Sequence, residues 1–387
     1  MLHIVLCADD NYVKFSSILI TSIVNNTNKS KFYNDYSHEK IINTKEGYFF
    51  HILTDFISEK NQKKLMLLKQ ELSKIYPIEI EIHIINEEEF SGLPRWRNNY
   101  SAYYRIKLAN FIPEHVKTCL YLDSDMLTLQ DIREIISINI DNHTIAAVLD
   151  GNNRRKRFFK KINDDTITPF HKNSNYFNSG FMYINLELWR KNKIEQKCFD
   201  FLKTYIPIYP DQDALNYAVD NIKQLPICWN FMISYIIGEK IGRKNIFKHR
   251  FKKTALEYTK EDFYYNQKNA KIIHYSLDEK PWNKEAHFYY NENFEPIVYP
   301  YFDLFWDTAK KTPYFNTDLL KLKEEISPIT SQDLSKILSI LLKQKRFIDR
   351  ATYRKMRKNI IFLYFFVFFC IFLYFFVFFC IFLYFKD

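Results

Sequence analysis

Residues 118–127 read Thr-Cys-Leu-Tyr-Leu-Asp-Ser-Asp-Met-Leu. A short apolar run stops at two aspartates separated by one serine. On a strand, residues i and i+2 point the same way, so Asp123 and Asp125 share a face where the run ends. The carboxyl ends of strands are where open α/β sheets bind ligands. Two carboxylates about 5 Å apart at an effective dielectric near 20 repel by roughly 3 kcal/mol. A raised pKa, a basic neighbour or a hard divalent cation would offset that repulsion, and such a cation can also bridge to phosphates. The spacing alone equally allows a solvated loop with a helix N-cap.

Outward from this stretch, apolar runs bounded by turns predict strands at about 2–8, 48–54, 78–85, 118–122, 144–149, 181–186 and 271–275. Leu65, Leu68, Leu72 and Ile75 recur at helical spacing, which predicts a helix over 58–75. Helices are also predicted at 13–25, 101–111, 131–138, 194–206 and 213–222. Strand and helix alternate through the first 150 residues. That pattern predicts an α/β fold with a mostly parallel sheet. Residues 27–47 and 151–175 are polar and read as irregular loop insertions, and 313–358 as a helical extension.

The chain has 387 residues and a net charge of +10, enough length for one large domain or two ordinary ones. Residues 343–358 carry +7 of that charge, which leaves about +3 elsewhere. A nucleic-acid-binding protein more often spreads basic charge over a folded face. No zinc knuckle, RNP signature or basic zipper is present, so no nucleic-acid partner is expected. Cys7, Cys119, Cys198, Cys228, Cys370 and Cys380 lack metal-ligand spacing and read as reduced, in a cytosolic compartment. The opening M-L-H-I-V-L-C-A-D-D has no basic n-region and too short an apolar run for a signal peptide.

Only six glycines occur, and neither G-x-G-x-x-G nor G-x-x-x-x-G-K-[ST] is among the motifs. A phosphorylated ligand would therefore need a counter-charge other than a glycine cradle, and a carboxylate-held metal supplies one. Further polar stretches stand out. C-A-D-D-N-Y (7–12) follows the first strand and offers Asp9, Asp10 and Asn11 to the sheet end. Y-F-N-S-G (176–180) puts Asn178, Ser179 and Gly180 just before a strand. P-D-Q-D-A-L-N (210–216) sets polar groups at a helix start, and H-Y-S-L-D-E-K-P-W (274–282) spaces His274 and Lys280 around a turn. Each has a plain alternative: Asp211 or Asp213 as a helix cap, His274 as a satisfied structural histidine, Lys280 as a solvated cation, Trp189 and Trp282 as core.

In this order, A-D-D-N-Y, Y-Y-R-I-K-L, Y-L-D-S-D-M-L, Y-F-N-S-G, D-Q-D-A-L-N and H-Y-x-x-x-x-K-P-W resemble the retaining glycosyltransferases of family 8. The likeness is greatest to bacterial lipopolysaccharide and lipo-oligosaccharide glucosyl- and galactosyltransferases, and it covers about residues 1–290. It implies a GT-A fold, a Rossmann-like nucleotide-binding half merged with an acceptor half. It implies that Asp123, Asp125 and His274 hold Mn²⁺ (or Mg²⁺) on the diphosphate of UDP-glucose or UDP-galactose. Ala8, Asp9 and Asn11 would contact uracil and ribose, with Ser124 beside them. Arg105 would reach the donor sugar or its phosphate. Lys280 would bind the diphosphate. Asp150, Asn178, Ser179, Asp211 and Gln212 would line the sugar pocket. Lys280, Asp150, Asp211 and Gln212 are the expected catalytic group. A metal and a lysine at the departing UDP fit the charge that develops there. An amide is a poor nucleophile, so a front-face route stands beside a covalent one at Gln212. The chain departs from the family at Leu277, where a glycine three residues after the histidine is usual, and at Ser179, where alanine is frequent.

Residues 361–385 repeat I-F-L-Y-F-F-V-F-F-C twice and then begin it again. With Ile360 this is an uncharged apolar run of 26 residues, about 39 Å as a helix, enough to cross a hydrocarbon core of about 30 Å. The basic cluster before it would face the cytoplasm. An incidental, aggregation-prone extension is the alternative. The expected organisation is a GT-A domain (1–290), a helical extension (291–342), a basic juxtamembrane segment (343–358) and a membrane anchor (359–387). The enzyme would sit on the cytoplasmic face of the bacterial inner membrane, against its lipid and a lipid-linked oligosaccharide acceptor. Two other readings compete. One is a degenerate transferase serving as a membrane-bound UDP-binding scaffold. The other is a haloacid-dehalogenase-type phosphatase, whose D-x-D would lie nearer the start of its core domain.

Overall fold

A computed structural model describes residues 1–37, 45–95, 99–150, 157–162, 164, 166–170, 176–241, 260–291, 295–326, 333, 336 and 337. The predicted apolar tail and the basic segment lie outside these residues, as does the helical extension beyond residue 337. Among the described residues no helix is long and apolar enough to cross a membrane.

The centre is a seven-stranded sheet. It contains β1 (Leu2–Cys7), β2 (Tyr48–Thr54), β3 (Ile78–Ile84), β4 (Thr118–Leu122), β6 (Ile145–Leu149), β9 (Phe177–Asn185) and β11 (Ile222–Gln224). Their order is β11-β6-β9-β4-β1-β2-β3. β3, β2, β1 and β4 run parallel, whereas β9 is antiparallel to both β4 and β6. β1, β4 and β6 are near-continuous apolar runs because both of their faces are covered. β3, I-E-I-E-I-H-I, alternates because it is an edge.

Helix α1 (Val13–Asn25) is buried along nearly its whole length. Three of its hydroxyls are satisfied within the helix: Ser17, Thr21 and Ser22 donate to the carbonyls of Lys14, Ser17 and Leu19. Helix α2 (Glu59–Ser73) starts at the Ser58 cap and buries Leu65, Leu68 and Leu72, as its spacing predicts. Helices α3 (Leu186–Lys191) and α4 (Ile194–Thr204) follow β9. α5 (Pro210–Ala218) begins with proline at its first turn. α6 (Ile233–Lys240) follows the two-residue strand β12 (Phe231–Met232).

Several expectations are corrected. Residues 101–110 and 132–137 form 3-10 rather than α-helix. The predicted helix 213–222 starts at Pro210 and stops at Ala218, and residue 222 opens β11. β9 begins at Phe177, so Asn178, Ser179 and Gly180 lie inside the strand; a register shift between Ala147 and Leu149 accommodates them. Residues 157–170 are not irregular throughout. β7 (Arg157–Lys161) and β8 (Ile167–Phe170) pair antiparallel, and β10 (Tyr205–Ile206) joins them. Of the extension, Phe315–Leu319 and Leu320–Glu325 are helical. They pack back onto the sheet domain, where Asp318 pairs with Lys60 and Lys64 and Tyr314 donates to the Asn61 carbonyl.

Candidate active site

The D-S-D segment joins β4 to β5 (Met126–Thr128). β5 pairs antiparallel with β13 (Ile272–His274), placing His274 opposite Met126, and the Tyr275 amide donates to the Asp125 carbonyl at 3.0 Å. Sheet pairing therefore brings a residue from late in the chain beside both aspartates. His274 Nε2 lies 3.8 Å from Asp123 Oδ2 and 3.3 Å from Asp125 Oδ1.

Each aspartate has one oxygen held and one left for something else. Asp123 Oδ1 accepts from Arg105 Nη2 at 2.9 Å and from the Tyr121 hydroxyl at 2.8 Å. Asp125 Oδ2 accepts from Lys280 Nζ. Asp125 Oδ1 is buried without a hydrogen-bond partner among the described residues. Two carboxylate oxygens and a ring nitrogen thus converge, a donor set suited to a divalent cation. Burial by itself would raise the Asp125 pKa, but the Lys280 ammonium and then His274 hold it well below the usual carboxylate range. It is anionic and ready to ligate.

Lys280 is aimed by its turn. Its amide donates to Asn283 Oδ1, and its ammonium also donates to the Tyr275 carbonyl. Trp282 stacks on Phe15 of α1 with ring centroids 3.8 Å apart, which clamps the K-P-W turn to the helix. Arg105 is buried between Asp123 and Asp211, and it covers the Tyr121 ring at 4.6 Å. Burial opposes its charge, but Asp123 and Asp211 hold its pKa well above normal. Burial raises the Asp211 pKa against the pull of Arg105, with Asp123 adding to the rise.

These side chains border a cleft of about 530 Å³, within the ordinary range for a small-molecule site. Ala8, Asp9, Arg105, Asp123, Ser124 and Asp125 line its sheet side. Asp150, Asn178, Ser179, Asp211, Gln212, His274 and Lys280 line the rest. Asn11 does not line it and is exposed. Asp10 is spent elsewhere: it accepts from the Ser58 amide and Asn61 Nδ2, tying the first loop to α2. The Ser124 hydroxyl bonds the Cys7 carbonyl and Ser16. Asp213 is not the N-cap, which is Tyr209; from the first turn of α5 it reaches back to accept from the Ile208 and Tyr209 amides and from the Tyr176 hydroxyl. Leu277 packs against the core and is not among the lining residues. Trp189 and Trp282 are core.

Sequence reasoning missed Tyr176, Asn216 and Asn230. Asn216 bonds both the amide and the carbonyl of Phe177 and fixes the start of β9 on α5. A second group of possible ligands, His51, Glu81 and His83, lies on β2 and β3. There His51 Nδ1 and His83 Nε2 face each other at 2.9 Å and share one hydrogen, so that pair is satisfied without an ion.

Known proteins resemble this chain in sequence and in fold. A lipopolysaccharide 1,2-glucosyltransferase of Escherichia coli is 28% identical over 288 residues, 72% of this chain and 73% of that protein. A lipopolysaccharide 1,3-galactosyltransferase of Salmonella typhimurium is 26% identical over 320 residues, 81% of this chain and 82% of its own length. The crystal structure of the galactosyltransferase LgtC with donor and acceptor sugar analogues has the same fold. Its TM-score is 0.56 at 19% identity, covering 87% of this chain and all of that one. The pattern of glycosyl transferase family 8 matches residues 3–286, a span that holds every cleft residue named above, and the chain therefore belongs to that family and is a glycosyltransferase.

Proposed function

We propose that the chain transfers glucose or galactose, with retention of configuration, from a UDP-sugar to a lipopolysaccharide or lipo-oligosaccharide core acceptor, using Mn²⁺ (or Mg²⁺). The observation that carries this reading is the convergence of Asp123 Oδ2, Asp125 Oδ1 and His274 Nε2, with Lys280 beside them. Those three residues would hold the ion. When bound, the ion supplies Lewis-acid stabilisation of the charge that develops on the departing diphosphate. Lys280, which here holds Asp125, would add a positive charge at the departing diphosphate. Arg105 orients Asp123, and it braces Asp211 at the far wall of the cleft.

Gln212 favours the front-face route. Its Oε1 already accepts from the Ser179 amide and Asn178 Nδ2, both at 3.1 Å. Its Nε2 donates to Asp150 and to Tyr176. An amide oxygen held by two donors has little electron density to offer an anomeric carbon. Its placement suits it to orient the sugar, with Asp150 and Asn178.

The names of the Escherichia coli and Salmonella relatives support glucose or galactose and a lipopolysaccharide acceptor. A donor-hydrolysis assay with Mn²⁺ and each UDP-hexose tests the metal site. Wild type releases UDP from one donor and Asp125→Ala does not; equal release from both donors by both proteins sinks the metal role. We also propose that residues 359–387 anchor the enzyme on the cytoplasmic face of the inner membrane. Deleting one ten-residue repeat leaves an apolar run of 16, short of the roughly 20 needed to span, and should release the chain from the membrane fraction.

A further inference from the structure

A ring nitrogen can ligate a metal only through a bare lone pair, so His274 must carry its hydrogen on Nδ1. The hydrogen bonds around it fix where that hydrogen sits. The Gly180 amide donates to Asn178 Oδ1 at 3.2 Å. Asn178 Nδ2 and the Ser179 amide both donate to Gln212 Oε1, and Gln212 Nε2 faces the Asp150 carboxylate at 3.3 Å. Backbone N–H groups and a carboxylate cannot exchange donor and acceptor roles, so the amides of Asn178 and Gln212 are each oriented at both ends. Asn230 lies 2.8 Å from Asn178 Oδ1, which accepts, so Asn230 must present its Nδ2 there. Its Oδ1 is then left for His274 Nδ1, 2.9 Å away. An oxygen facing Nδ1 requires a hydrogen on Nδ1, and in the neutral ring the lone pair then falls on Nε2, which is aimed at Asp123 and Asp125.

We propose that Asn230 is a positioning residue: it transmits a donor–acceptor polarity set by the Asn178–Gly180 backbone to His274 and holds that ring in the tautomer that ligates a metal. Asn230 is fully buried and does not line the cleft. Its place immediately before β12, which pairs in parallel with β13, puts its side chain behind His274 rather than toward substrate. Outer partners of this kind orient a ligating histidine and tune its basicity. The relay also passes through Asn178 and Gln212, so the sugar pocket and the metal ligand share one hydrogen-bond polarity.

This inference rests on the proposed metal role of His274, and two measurements separate them. The full chain, labelled with ¹⁵N in histidine and kept free of metal, is read by long-range ¹H–¹⁵N correlation, with the His274 signals assigned by their loss in His274→Gln. Wild type should show hydrogen on Nδ1. Asn230→Leu should populate both tautomers and bind Mn²⁺ about 10- to 100-fold more weakly, titrated by electron paramagnetic resonance without nucleotide. Asn230→Asp keeps an oxygen toward Nδ1 and should keep the wild-type tautomer, which carries the test if the leucine variant does not fold. Hydrogen on Nε2 with a bare Nδ1, in wild type or in Asn230→Asp, overturns the proposal, as does a folded Asn230→Leu with wild-type Mn²⁺ affinity. If His274→Gln itself leaves Mn²⁺ affinity unchanged, the metal reading fails, whereas the tautomer is read without any ion.

Discussion

The ammonium of Lys280 donates to Asp125 Oδ2, a residue 155 positions earlier in the chain. It therefore places a positive charge beside the proposed metal site, on the Asp125 oxygen that the site does not use. Lys280→Met removes a competing cation and leaves Asp125 buried with one counter-charge fewer. Mn²⁺ should bind the variant more tightly than wild type in the absence of nucleotide. Sugar transfer should fall about 10²- to 10³-fold, because the departing diphosphate loses a positive charge. Metal titration and UDP release check the two signs separately. Weaker Mn²⁺ binding by the variant would mean that Lys280 organises Asp125 rather than competing for it.

How much of this site was legible in the sequence depends on the residue. The D-S-D pair was visible because an apolar run ends on it, and its partners were visible as short polar words in a fixed order. What period and spacing do not encode is pairing. β5 and β13 are three residues each, and only their register sets His274 beside Asp125. The helix expected at 101–111 is 3-10 because Y-Y-R-I-K-L-A fits either period over so short a span. β7 and β8 looked like polar loop because K-R-F-F-K-K and I-T-P-F form strand only by pairing with each other and with β10. Asn230, in I-C-W-N-F, carries no charge and no spacing signal; its role follows from what the fold sets around it.

Three histidines form an acid-sensitive ladder across the parallel strands. His3 Nδ1 and His51 Nε2 are 2.9 Å apart, as are His51 Nδ1 and His83 Nε2. Burial lowers all three pKa values, His3 to about 4 and His51 to about 3, with the N-terminus and the neighbouring histidines adding to the effect on these two. The ordinary histidine value is about 6.5. Between that value and the lowered ones the unfolded chain binds protons that the folded chain refuses, so stability rises with pH across this window and is lost as pH falls through it. The ladder should cost about 1–2 kcal/mol at pH 5 relative to pH 7.5, after allowing for solvent screening. Denaturant unfolding of His51→Phe should show a shallower loss over the same interval. An identical pH slope in the variant would remove the ladder as the cause.

Arg133 holds the other end of α1. It is fully buried and pairs with Asp131 at 2.6 Å and Glu46 at 2.8 Å, while donating to the Asn28 and Lys31 carbonyls. Arg133→Met strands the buried Asp131 carboxylate and should cost about 3–5 kcal/mol. The 13 residues of α1 separate this network from the cleft by about 20 Å. UDP release per folded molecule should therefore match wild type below the melting temperature. A loss of turnover in fully folded variant would show that the network reaches the site.

Gly180 is required by space rather than by backbone conformation. A Cβ on it would lie 2.6 Å from Asp123 Oδ2, 2.7 Å from His274 Cε1 and 3.0 Å from Asn178 Oδ1. Two of these neighbours are proposed metal ligands and the third orients the histidine through Asn230. Asp123 cannot easily retreat, because its amide donates to the Gly180 carbonyl at 2.8 Å and its Oδ1 is held by Arg105 and Tyr121. The methyl of Gly180→Ala should push the ligand atoms apart rather than break β9. The expected outcome is a folded protein with at least tenfold weaker Mn²⁺ binding and about 10²-fold slower transfer, since a misplacement of about 1 Å has that effect on positioned groups. Saturating Mn²⁺ should restore only part of the rate, because the added methyl persists when the ion is bound. Wild-type Mn²⁺ affinity in Gly180→Ala would mean that the ion does not sit between Asp123 and His274.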